Sequence, residues 1–350
     1  LYRHWLEARM KLTPDDPELL RAHAHLLASM GDSEAERAVR RLEALGVDTA
    51  ADRSLLSGLR ARAGARTEAI EVIEQALEKD PSRSEDWQHY AQLLEAEGEF
   101  ELALEANERC LTLDRQCGEA WALKARLLAI KQGHERDALK AVTHAVALDA
   151  GGVDTIFLKA ELLELEGSVV AAEETLQKAI ESQPGNGELR ARMAGRCLLR
   201  HRIEEAETLL NATPDGIDHA LLHTVEGRLH LAHADRLRDG TGKTDETLLQ
   251  ASLDAFNGAL NLNRELGVAW LGLARTQRLL RDLDTAQESL NRASRLLDEN
   301  DPSIACEAAL LCLDQGDMTA AITHVDAAEV HGQNATTAYI RGNVSAANGQ

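Results

Sequence analysis

The sequence predicts an all-α fold built from repeated pairs of antiparallel helices, and three observations carry that expectation. Proline is scarce, 6 in 350 residues, and aromatic residues make up only 3%. Strands favour β-branched and aromatic residues and tight turns favour proline, so this composition points away from sheet. Apolar residues recur at helical spacing along the chain. A small residue also returns at a nearly constant interval: Ala69, Ala103, Ala138, Ala172, Ala206, then Ser252 in the same place, Ala286 and Ala321.

The two clearest windows start at Ser84 and Gly118, and each opens with a helix whose tryptophan (Trp87, Trp121) lies 34 residues from its counterpart. A glycine turn follows (Gly98, Gly133), then a second helix that the recurring alanine opens and Leu-Asp ends. Trp270 takes the tryptophan position again, whereas Ile156, Arg190 and His223 replace it in other copies. Ala91, Ala125, Ala160, Ala194, Gly227, Ala274 and Ala309 supply a small residue four positions later. Pro14, Pro81 and Pro184 close second helices.

A 34-residue period with tryptophan, small residue and proline in this order resembles the tetratricopeptide repeat throughout the chain. The resemblance implies a right-handed superhelical solenoid of helix-turn-helix units, with first helices lining a concave groove. It divides residues 1–350 as a single solenoid. Nine complete repeats cover 17–335, flanked by half-repeats at 1–16 and 336–350, and an inserted loop takes up about 235–249. Both ends fall inside a unit, so the sequence reads as part of a larger protein, with exposed end helices that invite end-to-end self-association.

Composition narrows the function classes. No run approaches the roughly 18 apolar residues of a membrane helix, which argues against direct membrane insertion. The 38 basic and 59 acidic residues leave a formal charge of −21. Phosphate backbones reward positive surface, so nucleic acid is disfavoured as a partner. A basic protein or a cationic polymer fits the charge better, unless the excess serves solubility alone. Five cysteines form no CxxC pair; they read as small core residues and lean towards a cytoplasmic compartment. A signal peptide on the parent would place it in the periplasm instead.

Candidate chemistry is sparse. Gly240-Thr241-Gly242-Lys243-Thr244 imitates the end of a P-loop, but Leu237 stands where the first glycine belongs and no strand precedes it. His219, His223, His230 and His233 share one helical stripe with Glu226, and i, i+4 spacing can bring two ligands to a metal. Four histidines along one helix cannot all reach one centre, and a polar flank beside an apolar face explains them as well. No nucleophile elbow or cysteine–histidine arrangement is present, so the expectation is no catalytic residue, no metal and no cofactor.

What remains is recognition. The resemblance implies a non-enzymatic scaffold that binds a protein or peptide ligand in its groove. Alternatives are the substrate-recruiting arm of an enzyme, or a periplasmic scaffold for polysaccharide export or envelope assembly. In the repeat frame the groove-facing residues are Gln92, Arg126, Glu161, Arg228 and Arg275, with Arg278 one turn on and Phe157 as an apolar anchor. The Lys/Asn set with which some family members grip a terminal carboxylate is missing from these positions.

Overall fold

The computed structural model describes residues 2–214, 216–242, 245–298, 301–330 and 335–347. Among them every regular element is an α-helix, twenty in all, and there is no strand. The chain divides into two compact units, residues 1–177 and 178–350.

The first unit contains α1 (Tyr2–Leu12), α2 (Pro17–Ser29), α3 (Glu34–Ala44), α4 (Ala50–Arg62), α5 (Arg66–Lys79), α6 (Ser84–Glu97), α7 (Phe100–Leu113), α8 (Gly118–Ile130), α9 (Glu135–Ala147) and α10 (Gly152–Leu165). Helix α11 (Val169–Ser182) runs across the division. The second unit continues with α12 (Gly187–Leu199), α13 (Ile203–Asn211), α14 (Ala220–Thr241), α15 (Glu246–Leu262), α16 (Gly267–Leu279), α17 (Leu283–Leu296), α18 (Pro302–Gln315), α19 (Met318–Val330) and α20 (Ala335–Ala347).

Even-numbered helices pack on the odd ones that follow them, α2 on α3 through α8 on α9 in the first unit and α12 on α13 through α18 on α19 in the second. Successive even helices also touch, α4 to α6 to α8 in one unit and α12 to α14 to α16 in the other, and so form an inner layer. The recurring small residues make this possible. Ala69, Ala103, Ala138, Ala172, Ala206, Ala286 and Ala321 are all 0% exposed, as is Ser252, whose hydroxyl donates to the Gly227 carbonyl at 2.9 Å. A larger side chain there would force the helices apart. Turn glycines Gly98 and Gly133 both adopt φ +83°, a left-handed conformation that closes the helix before them.

The tryptophans fix where each hairpin starts. Trp87, Trp121 and Trp270 each donate the indole N–H to the carbonyl six residues earlier, on Pro81, Arg115 and Arg264, at 2.9 Å in all three. Arg190, in the tryptophan position of α12, does the same with Nη2 to the Pro184 carbonyl at 3.2 Å, while its Nη1 reaches Leu209. His223 bonds Asp218 Oδ1 at 2.8 Å from the same place on α14. Two of the three substitutions that blur the pattern in sequence, Arg190 and His223, keep a polar tether in space, whereas Ile156 has no donor to offer.

One boundary differs from the sequence expectation. Residues 235–249 are mostly helix: α14 extends to Thr241 and α15 begins at Glu246, where Asp245 caps it by accepting from the Thr247 and Leu248 N–H groups. The surplus length is spent on a longer hairpin, because Leu229, Leu231, Ala234 and Leu249 continue its apolar seam. Gly240 is helical, and Lys243 and Thr244 of the P-loop-like run lie outside the described residues. At the other end, Leu6 is fully buried while Trp5 is 53% exposed.

A histidine in the first unit makes stability pH-dependent. His89 on α6 lies 3.0 Å from Ser57 Oγ on α4, and that hydroxyl donates to the Ala69 carbonyl at 2.7 Å. Ser57 therefore accepts from Nε2–H. Burial, opposed only by the charge of Asp86, pushes the imidazole below its ordinary value. The unfolded chain then takes up the proton first, and stability present above about pH 6.5 is lost as pH falls through the lower folded value. His89→Gln, which donates without titrating, is expected to flatten the melting-temperature profile between about pH 7.5 and about pH 5. Equal pH slopes for wild type and variant would refute the assignment.

Candidate functional site on the inner helices

The inner layer carries the residues the sequence selects, and the structure sorts them. In the first unit Gln92 and Glu161 are exposed. Arg126 on α8 makes a two-pronged pair with Glu95 on α6, Nε to Oε1 at 3.0 Å and Nη2 to Oε2 at 2.9 Å. Those hydrogen bonds outweigh burial and raise the Arg126 pKa, so its charge already has an answer within the fold. Phe157, expected as an apolar anchor on the open face, is buried at 5% exposure. That burial leaves little of its ring open to a ligand.

In the second unit Arg278 also departs from expectation. It is 8% exposed, and its guanidinium sits between Glu307 and Asp314 of α18, the latter at 2.9 Å. Burial works against that charge, but the two carboxylates prevail and raise its pKa. Arg278 is an inter-helix tie rather than a free contact. Arg275 is half open and pairs with Asp235 of α14 at 2.5 Å. The same carboxylate also holds Arg238 at 3.0 Å.

Arg228 is different. Its Nη1 lies over Gly195 of α12, 3.9 Å from where a Cβ would stand. Burial first, and the neighbouring Arg275 charge second, press its pKa below the ordinary arginine range. Among the described residues neither carboxylate nor carbonyl pairs with it. Arg238 and Arg275 thus share the Asp235 carboxylate, and Arg228 stands beside Arg275, a positive spot in an acidic chain. The sequence placed Arg228 and Arg275 on one line; which of the arginines is already neutralised depends on partners about 30 to 40 residues away, such as Glu95, Asp235 and Glu307.

The histidine stripe of α14 separates into different roles. His219 caps the helix by accepting from the Leu221 N–H at 3.3 Å. His223 contacts Asp218 and Glu226, and His233 lies 3.7 Å from Glu207 on α13. Among the described residues no three His, Cys, Asp or Glu side chains are grouped to hold a metal ion. Cys110, Cys197 and Cys306 are buried cysteines, and burial foremost pushes the Cys110 thiol to about 12, which leaves it inert. No described helix is long and apolar enough to cross a membrane.

Stacked hairpins with an inner layer of first helices define a class, the helical-repeat proteins. More particularly, residues 60–127 and 165–229 match the model of the tetratricopeptide repeat. No protein of curated function matches the chain. Among solved structures it is similar to a chain of the APC/C hetero-tetramer Cut9–Hcn1, with 17% identity, a TM-score of 0.52 and 95% of this chain covered. It spans 56% of that chain's length. It is also similar to the human IFIT1 dimer with m7Gppp-AAAA, with 19% identity, TM-score 0.57, 95% of this chain and 81% of that one. Yeast Tom70 matches at 15% identity and TM-score 0.56, over 99% of this chain and 84% of the other. At these identities the likeness is one of fold.

Proposed function

We propose that the chain is a non-enzymatic scaffold that binds an extended segment of a partner protein on the inner helices of its second unit. The observation that carries this reading is Arg228, a half-buried cation beside Arg275 with no counter-charge among the described residues. An unpaired buried charge is costly, and a fold that keeps one gains when a ligand supplies the missing anion. Arginine's planar fork suits a carboxylate held from two sides, so the segment bears an acidic residue at this point. Tetratricopeptide folds generally bind proteins or peptides, and the chain's net charge disfavours a phosphate backbone as the alternative source of anions.

The test separates binding from stability. Arg228→Gln is expected to leave the melting temperature unchanged or raised, because it removes a like charge from beside Arg275. The same variant should lose affinity for a labelled acidic peptide and for any partner recovered with the wild-type chain. Arg228→Glu with Arg275→Glu should abolish that binding. Native affinity in the double variant, or tighter binding of an RNA oligonucleotide than of the peptide, would move the site or change the ligand class.

A further inference from the structure

Helix α7 ends and α8 begins on a pair of thiols. Cys110, in the last turn of α7, is 0% exposed. Cys117, the residue before α8, is half-buried and packs against it in a cluster with Leu111, Ala120, Trp87 and Trp121. The two thiols are hydrogen-bonded to each other, and Cys117 Sγ also donates to Gln88 Oε1 of α6 at 3.5 Å. Backbone bonds hold both residues in place. The Asp114 N–H donates to the Cys110 carbonyl at 2.8 Å, and the Trp121 N–H to the Cys117 carbonyl at 3.2 Å. Cys117 follows Cys110 by only seven positions, so joining the two closes a short loop that is already ordered.

Other repeats do not carry this pair. In the place of Cys110, whose carbonyl accepts the N–H that caps its helix, they hold Ala76, Ala259 and Ala293, each 0% exposed with the same backbone bond. In the place of Cys117, four residues before the tryptophan position, they hold Arg83, Asn186 and Leu266. Packing therefore asks for a small side chain at the first place and for no sulfur at the second. One thiol alone would be ordinary filling, whereas both together put two sulfurs in contact.

We propose that Cys110 and Cys117 form a reversible disulfide under hydrogen peroxide, a redox latch across the turn between the two hairpins. Cys117, the more open thiol, reacts first. Its sulfur attacks one peroxide oxygen, the O–O bond breaks and water leaves, so that Cys117 becomes a sulfenic acid. Cys110 is shielded from reagents in solution and meets only the sulfur beside it. Its sulfur displaces the hydroxyl from Cys117, the S–S bond forms, and its proton leaves with that hydroxyl as a second water. Two thiols and one peroxide thus give one disulfide and two waters. The loop so closed contains Arg115, whose carbonyl anchors the Trp121 indole, and the Cys117 bond to Gln88 is lost. The latch fixes the start of α8 and releases a polar side chain on inner helix α6.

Trypsin cuts after Arg109, Arg115 and Lys124, so the two cysteines fall on separate peptides, 110–115 and 116–124, which only the disulfide joins. The reduced 350-residue chain is treated with hydrogen peroxide, capped with N-ethylmaleimide, digested and measured by mass spectrometry. The joined peptide should dominate, and it should vanish after dithiothreitol. Cys110→Ala, which places there the residue that other repeats carry, should keep the melting temperature and strand Cys117 as a sulfenic acid. Dimedone labelling at Cys117 should then rise by about tenfold or more over wild type. Should that variant melt lower, Cys110→Ser gives the same reading. Cys117→Ser should leave Cys110 unoxidised. Wild type in which the two peptides stay separate, or in which Cys117 is joined to Cys197, Cys306 or Cys312 instead, would overturn the proposal. Equal dimedone labelling of wild type and Cys110→Ala would overturn it too.

Discussion

Replacing Phe256 with alanine is expected to destabilise the second unit by about 3–5 kcal/mol. The ring is 0% exposed and lies among Leu231, Leu249, Ala259, Leu260, Ala269 and Leu273. Two glycines bound it on the inner helices. A Cβ at Gly227 of α14 would come within 2.9 Å of the ring, and one at Gly272 of α16 would overlap it outright. The ring is fully enclosed and cannot swing aside, so Gly272→Ala should cost about 1–3 kcal/mol by overpacking. These two losses should not add. In the Phe256→Ala background the added methyl enters space already vacated, so the double variant should be no less stable than Phe256→Ala alone. Chemical denaturation of the four proteins checks this, and simple additivity would show that ring and glycine do not compete for one space.

The second large effect concerns Arg278. Arg278→Met should cost about 3–5 kcal/mol, since Glu307, itself 7% exposed, would keep a buried charge without its cation. Arg278→Met combined with Glu307→Leu should recover most of the loss, because an apolar pair of similar volume carries no desolvation penalty. Chemical denaturation of the single and double variants checks this, and a loss that the double variant does not recover would assign the cost to packing instead of charge. Peptide binding should follow stability in these variants, unlike in Arg228→Gln.

The repeat was legible because its determinants are local and periodic. The alanines at 34- or 35-residue intervals are the residues with no exposed surface, and the turn glycines are those at positive φ. The 235–249 segment misled for an equally local reason: Asp-Gly-Thr-Gly reads as loop, yet α14 continues through Asp239 and Gly240 because the apolar seam beneath holds it. The groove was legible only as a line of positions. Arg126, Arg275 and Arg278 meet carboxylates 31, 40, 29 and 36 residues away, a distance at which no periodic pattern marks a partner. Phe157 followed the same frame and is buried.

The tether six residues back has a consequence for how such arrays diverge. At the Trp87 position a long donor can reach a carbonyl in the preceding turn, and Arg190 shows that a guanidinium does so as an indole does. Aromatic character at that position is thus dispensable, and Ile156 fills it with no donor at all. An array can drift away from its founding residue one unit at a time, exchanging an apolar plate for a cation or an aliphatic chain. Units that have drifted furthest in letters are then free to acquire surface chemistry of their own, as α12 and α14 have around Arg228.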